Sequence, residues 1–354
     1  MNLPVPICVI MAGGAGTRFW PLSSDAKPKQ FLNLIGNQTF LQQSYERART
    51  LCPASHILVF THADYRSLVE EQLPELDSSN IYCEPQRRDT AAAIAWSSLV
   101  CQKRFGSCVV MTLTSDHWIQ PLQDFAHALK EFHAGAANSD SLYTMGILPT
   151  WPSTGYGYLE LGQPVQVPEC SLAHFELKRF REKPNRETAE EFIESGRFLW
   201  NSGMFAWRIE VILEMFRLHL PHHLEVLEPV CLGEAEEIAK AFPKLQKISI
   251  DYAILEKAPS VRCLQPKFQW SDLGGWASLT EFLETTEGNH RRGQIFPLDS
   301  RDNLVYCDDQ SEEVALVGVQ GLTVVRMGKK TLVLPTQRGE EIKQLLQKFP
   351  QLNQ

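Results

Sequence analysis

Short runs of apolar and β-branched residues recur at Pro6–Met11, His56–Thr61, Asn80–Cys83, Ser107–Thr114 and Leu142–Ile147. Their continuity, without the polar alternation of a half-exposed sheet, predicts strands buried on both faces. Between them the period lengthens. From Thr39 to Leu51, Leu41, Tyr45 and Ala48 fall at i, i+4 and i+7, with Thr39 and Gln42 spaced as a capping box. Asp89-Thr90 opens an alanine-rich helix running to about Arg104. Strand and helix in alternation predict an α/β fold, a Rossmann-like, mostly parallel mixed sheet flanked by helices. Its ligands should gather at the carboxyl ends of the strands.

From Gly155 the pattern changes. Tyr156–Leu161 and Phe175–Phe180 read as strands, and helices are predicted at Arg186–Ser195, Ile209–Leu220 and Glu234–Phe242. Past Asn289 five short apolar runs follow at roughly ten-residue spacing, a small all-β signature. They are Ile295–Leu298, Asn303–Cys307, Val314–Val319, Leu322–Met327 and Thr331–Leu334, and a helix from Gly339 to Phe349 closes them. The boundary is placed at Glu287-Gly288-Asn289, giving a domain over 1–287 and a β module over 288–354.

Composition narrows the function. Lys+Arg 34 against Asp+Glu 42 leaves a net charge of −8, which argues against a general nucleic-acid binder. No apolar run approaches the roughly 20 residues that span a bilayer, and the segment before Ile7 lacks the basic start of a secretion signal. The nine cysteines contain no C-x-x-C pair, and Cys8, Cys101 and Cys108 lie inside apolar stretches. They read as buried thiols of a reducing compartment, so the expected location is cytoplasmic.

The strongest chemical signal is Ala12-Gly13-Gly14-Ala15-Gly16-Thr17-Arg18-Phe19-Trp20-Pro21, directly after the first strand. Its glycines let the backbone turn sharply and present N–H groups to an anion, and Arg18 adds a fixed charge. No Gly-Lys-Ser/Thr follows, so it is not a Walker loop, and Phe19 replaces the third glycine of a dinucleotide fingerprint. Alone, the cluster reads equally well as a glycine-rich turn with a surface arginine. Eight residues on, Lys27-Pro28-Lys29-Gln30-Phe31 brings a second cation near the loop. The triplet His219, His222 and His223 is poorly spaced for a metal, because Pro221 interrupts the helical register. Arg87-Arg88 and Arg291-Arg292 read as solvated loop pairs, Arg88 being the better phosphate candidate.

Further motifs follow in order: Glu84-Pro85 with Asp89-Thr90-Ala91, Ser115-Asp116-His117, Thr154-Gly155-Tyr156-Gly157-Tyr158 and Phe180-Arg181-Glu182-Lys183-Pro184. Leu199-Trp200-Asn201-Ser202-Gly203-Met204-Phe205, Ser249-Ile250-Asp251-Tyr252 and Trp270-Ser271-Asp272-Leu273-Gly274 complete the series. Together with the glycine loop they resemble the sugar-nucleotide pyrophosphorylases, specifically the mannose-1-phosphate guanylyltransferase (GDP-mannose pyrophosphorylase) family, over nearly the whole chain. The resemblance implies a nucleotidyltransferase catalytic domain that joins GTP and mannose 1-phosphate into GDP-mannose and pyrophosphate. It also implies Mg²⁺ held by Asp116 and Asp272, and a truncated left-handed β-helix that pairs subunits into a homodimer. Longer members continue into a phosphomannose isomerase domain, so isomerase activity is not expected of this chain.

Such a reaction needs in-line positioning and charge cancellation rather than a side-chain nucleophile. Arg18 and Lys29 suit the triphosphate, and Lys183 suits the sugar phosphate. The expected nucleotide contacts are Ala12, Gly13, Gly14, Gly16, Thr17, Arg18, Lys29, Glu84, Thr90 and Asp116. Glu84 is the expected reader of guanine, because a carboxylate can accept both donors of its pairing edge. Gly155, Glu182, Lys183 and Asn201 resemble the family's sugar contacts. Each has a plainer alternative: Asp116 as a helix N-cap, Asp272 as a turn stabiliser, Lys183 as a solvated strand end. Trp200 and Tyr156 read as wall or core residues. The rivals are a sister enzyme of other substrate choice and a catalytically silent regulatory subunit, which would have little need of both metal carboxylates. A nicotinamide oxidoreductase is disfavoured by Phe19 and by the lack of an acidic residue about 20 positions after the loop.

Overall fold

The computed structural model describes Leu3 to Asn353, so Met1, Asn2 and Gln354 lie outside the described residues. The chain divides into two compact units. One comprises Met1–Gly13, Gln42–Ser115 and Ile119–Trp270; the other comprises Gly14–Leu41, Asp116–Trp118 and Ser271–Gln354.

The first unit holds a nine-stranded sheet. Its spatial order is Ile81–Glu84, Ile57–His62, Val5–Ala12, Cys108–Thr114, Phe198–Arg208, Leu142–Ile147, Val261–Gln265, Ala173–Arg181 and Tyr158–Val165. The first four run parallel, in keeping with their continuous apolar sequences. Leu142–Ile147 and Val261–Gln265 are also parallel. The remaining pairings are antiparallel, so the sheet is mixed and its parallel character is concentrated toward the N-terminal side. The sequence pattern missed Phe198–Arg208 as a strand, because Asn201, Ser202 and Gly203 interrupt its apolar run. It nevertheless lies between Cys108–Thr114 and Leu142–Ile147. The helix Asp89–Phe105 buries Ala91 to Cys101 almost continuously and shares a core with Ile7, Val9, Val110, Trp207 and Phe216.

The second unit is organised by the β module. Asn289–Arg292, Leu304–Cys307 and Leu322–Met327 stack in parallel, flanked by antiparallel Glu284–Thr286 and Lys330–Pro335. A separate parallel pair joins Gln294–Leu298 to Glu313–Val317. All four residues of Leu304–Cys307 are buried because the strand has a core on each face. Val305 and Cys307 pack with Ile295, Leu316 and Val324. Leu304 and Tyr306 point the other way, to Phe19, Trp20, Trp276 and Ile342. Glu287-Gly288, where the boundary was placed, is a tight hairpin turn with both φ positive, 47° and 74°. The closing helix is shorter than the predicted Gly339–Phe349: a 3₁₀ segment Thr336–Glu341 precedes Ile342–Lys348.

Buried asparagines tie the rungs together. Asn289 Nδ2 donates to Ser300 O at 2.9 Å and to Glu287 O at 3.1 Å. Its Oδ1 accepts from Asn303 Nδ2 at 2.8 Å, and Asn303 Oδ1 accepts from Leu322 N at 2.9 Å. Neither side chain reaches solvent. Asn289→Ala should strand several of these groups and cost about 2–3 kcal/mol, read as a lower urea midpoint. An unchanged midpoint would show that the ladder adds nothing.

Candidate active site

The glycine loop owes its composition to close approach. In the second unit, Gly16 has φ 44°, and a Cβ there would lie 2.7 Å from Lys29 N and 2.9 Å from Lys29 Cβ. Only glycine lets the Lys29 turn sit this near. Gln30 Nε2, a residue to which the sequence assigned no role, donates to Gly14 O at 2.9 Å and pins the loop. Phe19, which spoils a dinucleotide fingerprint, is an anchor instead, packing edge-on against Trp276 with ring centroids 5.2 Å apart. Arg18 Nη1 donates to Gly274 O at 3.0 Å, and Thr17 lies in the same short turn.

Lys29 is the centre of this arrangement. Its side chain is 7 % exposed, and Nζ lies 3.1 Å from Asp116 Oδ2. The same ammonium donates to the Asp272 main-chain carbonyl. Three sequence-distant segments therefore meet on one charge. Asp116 is no helix N-cap: the short strand Trp118–Gln120 follows it, and its carboxylate faces Lys29 with His117 Nε2 3.7 Å away. Surrounding protein would by itself raise the Asp116 pKa, but Lys29, His117 and Arg18 outweigh this and hold it below the usual carboxylate range. Its side chain keeps 41 % exposure, so an ionised hard oxygen donor faces solvent here. Asp272 is half-buried, and the Ser271 hydroxyl, which accepts from Leu273 N at 3.2 Å, steadies the turn. Aspartate carboxylates are donors that fit a hard divalent cation.

In the first unit, Glu84 ends its strand and is buried. A Cβ on Gly13 would come 3.5 Å from Glu84 Oε1, so carboxyl and loop backbone are neighbours. Ala12, fully buried, accepts from the Thr61 hydroxyl at 3.0 Å. Thr90 is exposed, and its hydroxyl accepts from Ile250 N at 2.8 Å. Arg88, the favoured basic residue, donates to Pro243 O at 2.7 Å, whereas Arg87 acts electrostatically on Glu84.

A second cluster in the same unit gathers the expected sugar contacts. Asn201 N donates to Gly157 O at 2.8 Å, and Asn201 Nδ2 donates to Asp251 Oδ1 at 3.2 Å. Lys183, with φ 42°, pairs with Glu182 at 2.9 Å. A Cβ on Gly157 would fall 2.8 Å from Glu182 Oε2. Gly155 N donates to Ser153 Oγ at 3.2 Å. Trp200 is buried, its ring 5.0 Å from Tyr156, and Trp151 and Trp270 extend the aromatic wall. Asp251, Trp151 and Trp270 gained no role from the sequence, although Asp251 and Trp270 lie inside quoted motifs. The histidine triplet forms no metal cluster among the described residues; His223 is buried against Gln246 O at 3.2 Å.

Burial pushes Glu84 up to about 8 against the opposing Arg87. It pushes Asp251 up to about 6, reinforced by Glu182. The folded chain thus holds protons that the unfolded chain releases, and stability falls as pH rises from the ordinary 4.5 of Glu84 through about 8. Across this window wild type should lose melting temperature relative to Glu84→Gln by at least roughly 2–4 °C, the scale of 1 kcal/mol for a unit of this size. The two curves should converge below the lower limit. Parallel melting curves across the window would contradict a buried, proton-holding Glu84.

Residues 7–288 match the family model described as nucleotidyl transferase, and residues 293–349 match the mannose-P isomerase/GMP-like β-helix domain. A mannose-1-phosphate guanylyltransferase of Salmonella montevideo is 36 % identical over 354 residues, covering 96 % of this chain and 73 % of that protein. One from Sinorhizobium fredii is 34 % identical over 361 residues, covering 98 % and 68 %. A solved structure from Thermus thermophilus, described as a mannose-1-phosphate geranyltransferase, matches with TM-score 0.86 and 31 % identity over 98 % of this chain and 99 % of that one. The Lys29-centred loop thus lies in a chain that belongs to the nucleotidyl transferase family, among the mannose-1-phosphate guanylyltransferases.

Proposed function

We propose that this nucleotidyltransferase moves GMP from GTP to α-D-mannose 1-phosphate, giving GDP-mannose and pyrophosphate. The observation that carries the reading is Lys29, a buried ammonium between the Asp116 carboxylate and the Asp272 carbonyl beside a glycine loop. A sugar-phosphate oxygen attacks the α-phosphorus of GTP, the new P–O bond forms, and the α–β bridging bond breaks as pyrophosphate leaves. Both nucleophile and leaving group are anions, so the protein's work is alignment and charge cancellation, with no covalent intermediate. Arg18 and Lys29 serve the triphosphate, and the loop N–H groups of Gly13, Gly14, Gly16 and Thr17 hold phosphate oxygens. Lys183 takes the sugar phosphate, and Glu182, Asn201 and the Gly155 backbone take sugar hydroxyls. Glu84 accepts the guanine pairing edge, whose two donors favour the ionised carboxylate.

Members of this family generally use a divalent metal. Asp116 and Asp272 would hold it, and Mg²⁺ suits their hard oxygens; when bound it supplies charge neutralisation at the reacting phosphates. We assign 1–287 to catalysis and 288–354 to pairing of two subunits, with a cytoplasmic location. Supporting the pairing, Phe296, Leu298 and Val317 stand exposed on the two-stranded parallel sheet of the module.

A matrix of nucleoside triphosphates against sugar 1-phosphates, scored by pyrophosphate release with and without Mg²⁺, tests the reading. GTP with mannose 1-phosphate should be the best pair, and a different best pair would overturn it. Asp116→Ala and Asp272→Ala should each lower kcat at least about a hundredfold, the scale of one lost electrostatic element. Near-normal turnover in either folded variant at limiting Mg²⁺ would remove the two-carboxylate assignment.

A further inference from the structure

Away from the residues assigned to catalysis, the first unit contains a cluster of mixed donors, with Glu131 and His174 buried and Cys170 half-buried. Glu131 lies on the helix Leu122–Ala137, Cys170 in the loop between the strands Tyr158–Val165 and Ala173–Arg181, and His174 on the latter strand. One oxygen of Glu131, Cys170 Sγ and one imidazole nitrogen all lie within 4.8 Å of one another. The decisive feature is His174. Its side chain is 1 % exposed, yet neither Nδ1 nor Nε2 has a hydrogen-bond partner among the described residues. A buried imidazole left this way costs free energy unless something else uses its lone pair.

Space for that ring is built in. Gly135, one turn after Glu131, is the small residue beneath it: a Cβ there would meet His174 Cε1 at 3.2 Å and the Tyr143 ring at 3.0 Å. Glu131 is oriented by Ser171 N at 2.7 Å and Ser171 Oγ at 2.8 Å, both on Oε1, and by Leu172 N at 2.8 Å on Oε2. Oε2 therefore carries one hydrogen bond and faces His174 Nε2 at 3.8 Å. That separation is too long for a hydrogen bond. It lies within the roughly 4 Å that two metal–ligand bonds of about 2.1 Å can span. His127, one turn earlier on the helix, holds the other oxygen in place, its Nε2 3.1 Å from Glu131 Oε1 and 2.9 Å from Ser171 Oγ.

We propose that Glu131, Cys170 and His174 form a three-donor site for a zinc ion. The donor set selects the metal: one thiolate with imidazole and carboxylate favours zinc over magnesium, whose partners are oxygens. On binding, Cys170 gives its proton to solvent and the sulfur–metal bond forms; no electron is transferred. The ion clamps the Leu122–Ala137 helix to the turn that starts the Ala173–Arg181 strand. It lies on side chains separate from the Asp116 and Asp272 pair.

The test uses the full chain stripped by a chelator and titrated with Co²⁺ as an optical probe. Wild type should take up Co²⁺ with a thiolate-to-cobalt charge-transfer band that Zn²⁺ abolishes, and Asp116→Ala should keep the band. Cys170→Ser should lose it, and His174→Gln should bind at least about tenfold more weakly. Zn²⁺ should raise the melting temperature of wild type and leave that of Cys170→Ser unchanged. Absence of the band in wild type, or its persistence in Cys170→Ser, would overturn the proposal without relying on how any variant folds.

Discussion

One ammonium group organises the second unit. Lys29 Nζ, almost wholly removed from solvent, lies between the Asp116 carboxylate and the Asp272 carbonyl. A buried cation without partners is strongly unfavourable, so the three segments that supply this contact are coupled through it. The glycine at position 16 lets the Lys29 backbone close against the loop. Gln30 then fixes that loop through Gly14 O. Loop, strand end and distant turn thus become one electrostatic object rather than three surface features.

Carboxyl groups are tuned in opposite directions by the same physics. Cations around Asp116 overcome the effect of its surroundings and hold it ionised. Glu84 and Asp251 lack enough compensating charge, and burial drives them upward. A carboxylate suited to holding a cation needs the first condition. A group that meets hydrogen-bond donors on a ligand can begin in the second, because the donors themselves stabilise its charge. Asp251, held by Asn201 and close enough to Glu182 to feel its charge, is driven upward in the same way.

The β module shows how few residues can serve two cores. Alternation along Leu304–Cys307 sends Leu304 and Tyr306 to one cluster and Val305 and Cys307 to the other. Buried asparagines 289 and 303 replace polar contacts that water would otherwise make. Their cost is offset because each amide finds both donors and acceptors within adjacent rungs.

Continuous apolar runs revealed the parallel strands, and helical spacing revealed Arg186–Ser195 to the residue. Those features depend on side-chain periodicity, which is local. The glycine loop and the nearness of Lys29 to it were also legible, because close backbone approach demands glycine. Phe198–Arg208 was not: its polar centre hides a strand that only its two neighbours in the sheet define. Asp251 and Gln30 stood in the quoted motifs, but their partners, Asn201 and Gly14, are fixed by folding. The same holds for Glu131, Cys170 and His174, whose spacing in the chain resembles no metal motif. Sequence by itself determined period, turn chemistry and the inventory of charges. Tertiary structure decided which charges meet and which are buried, because desolvation and Coulomb energy depend on distance in space, not along the chain.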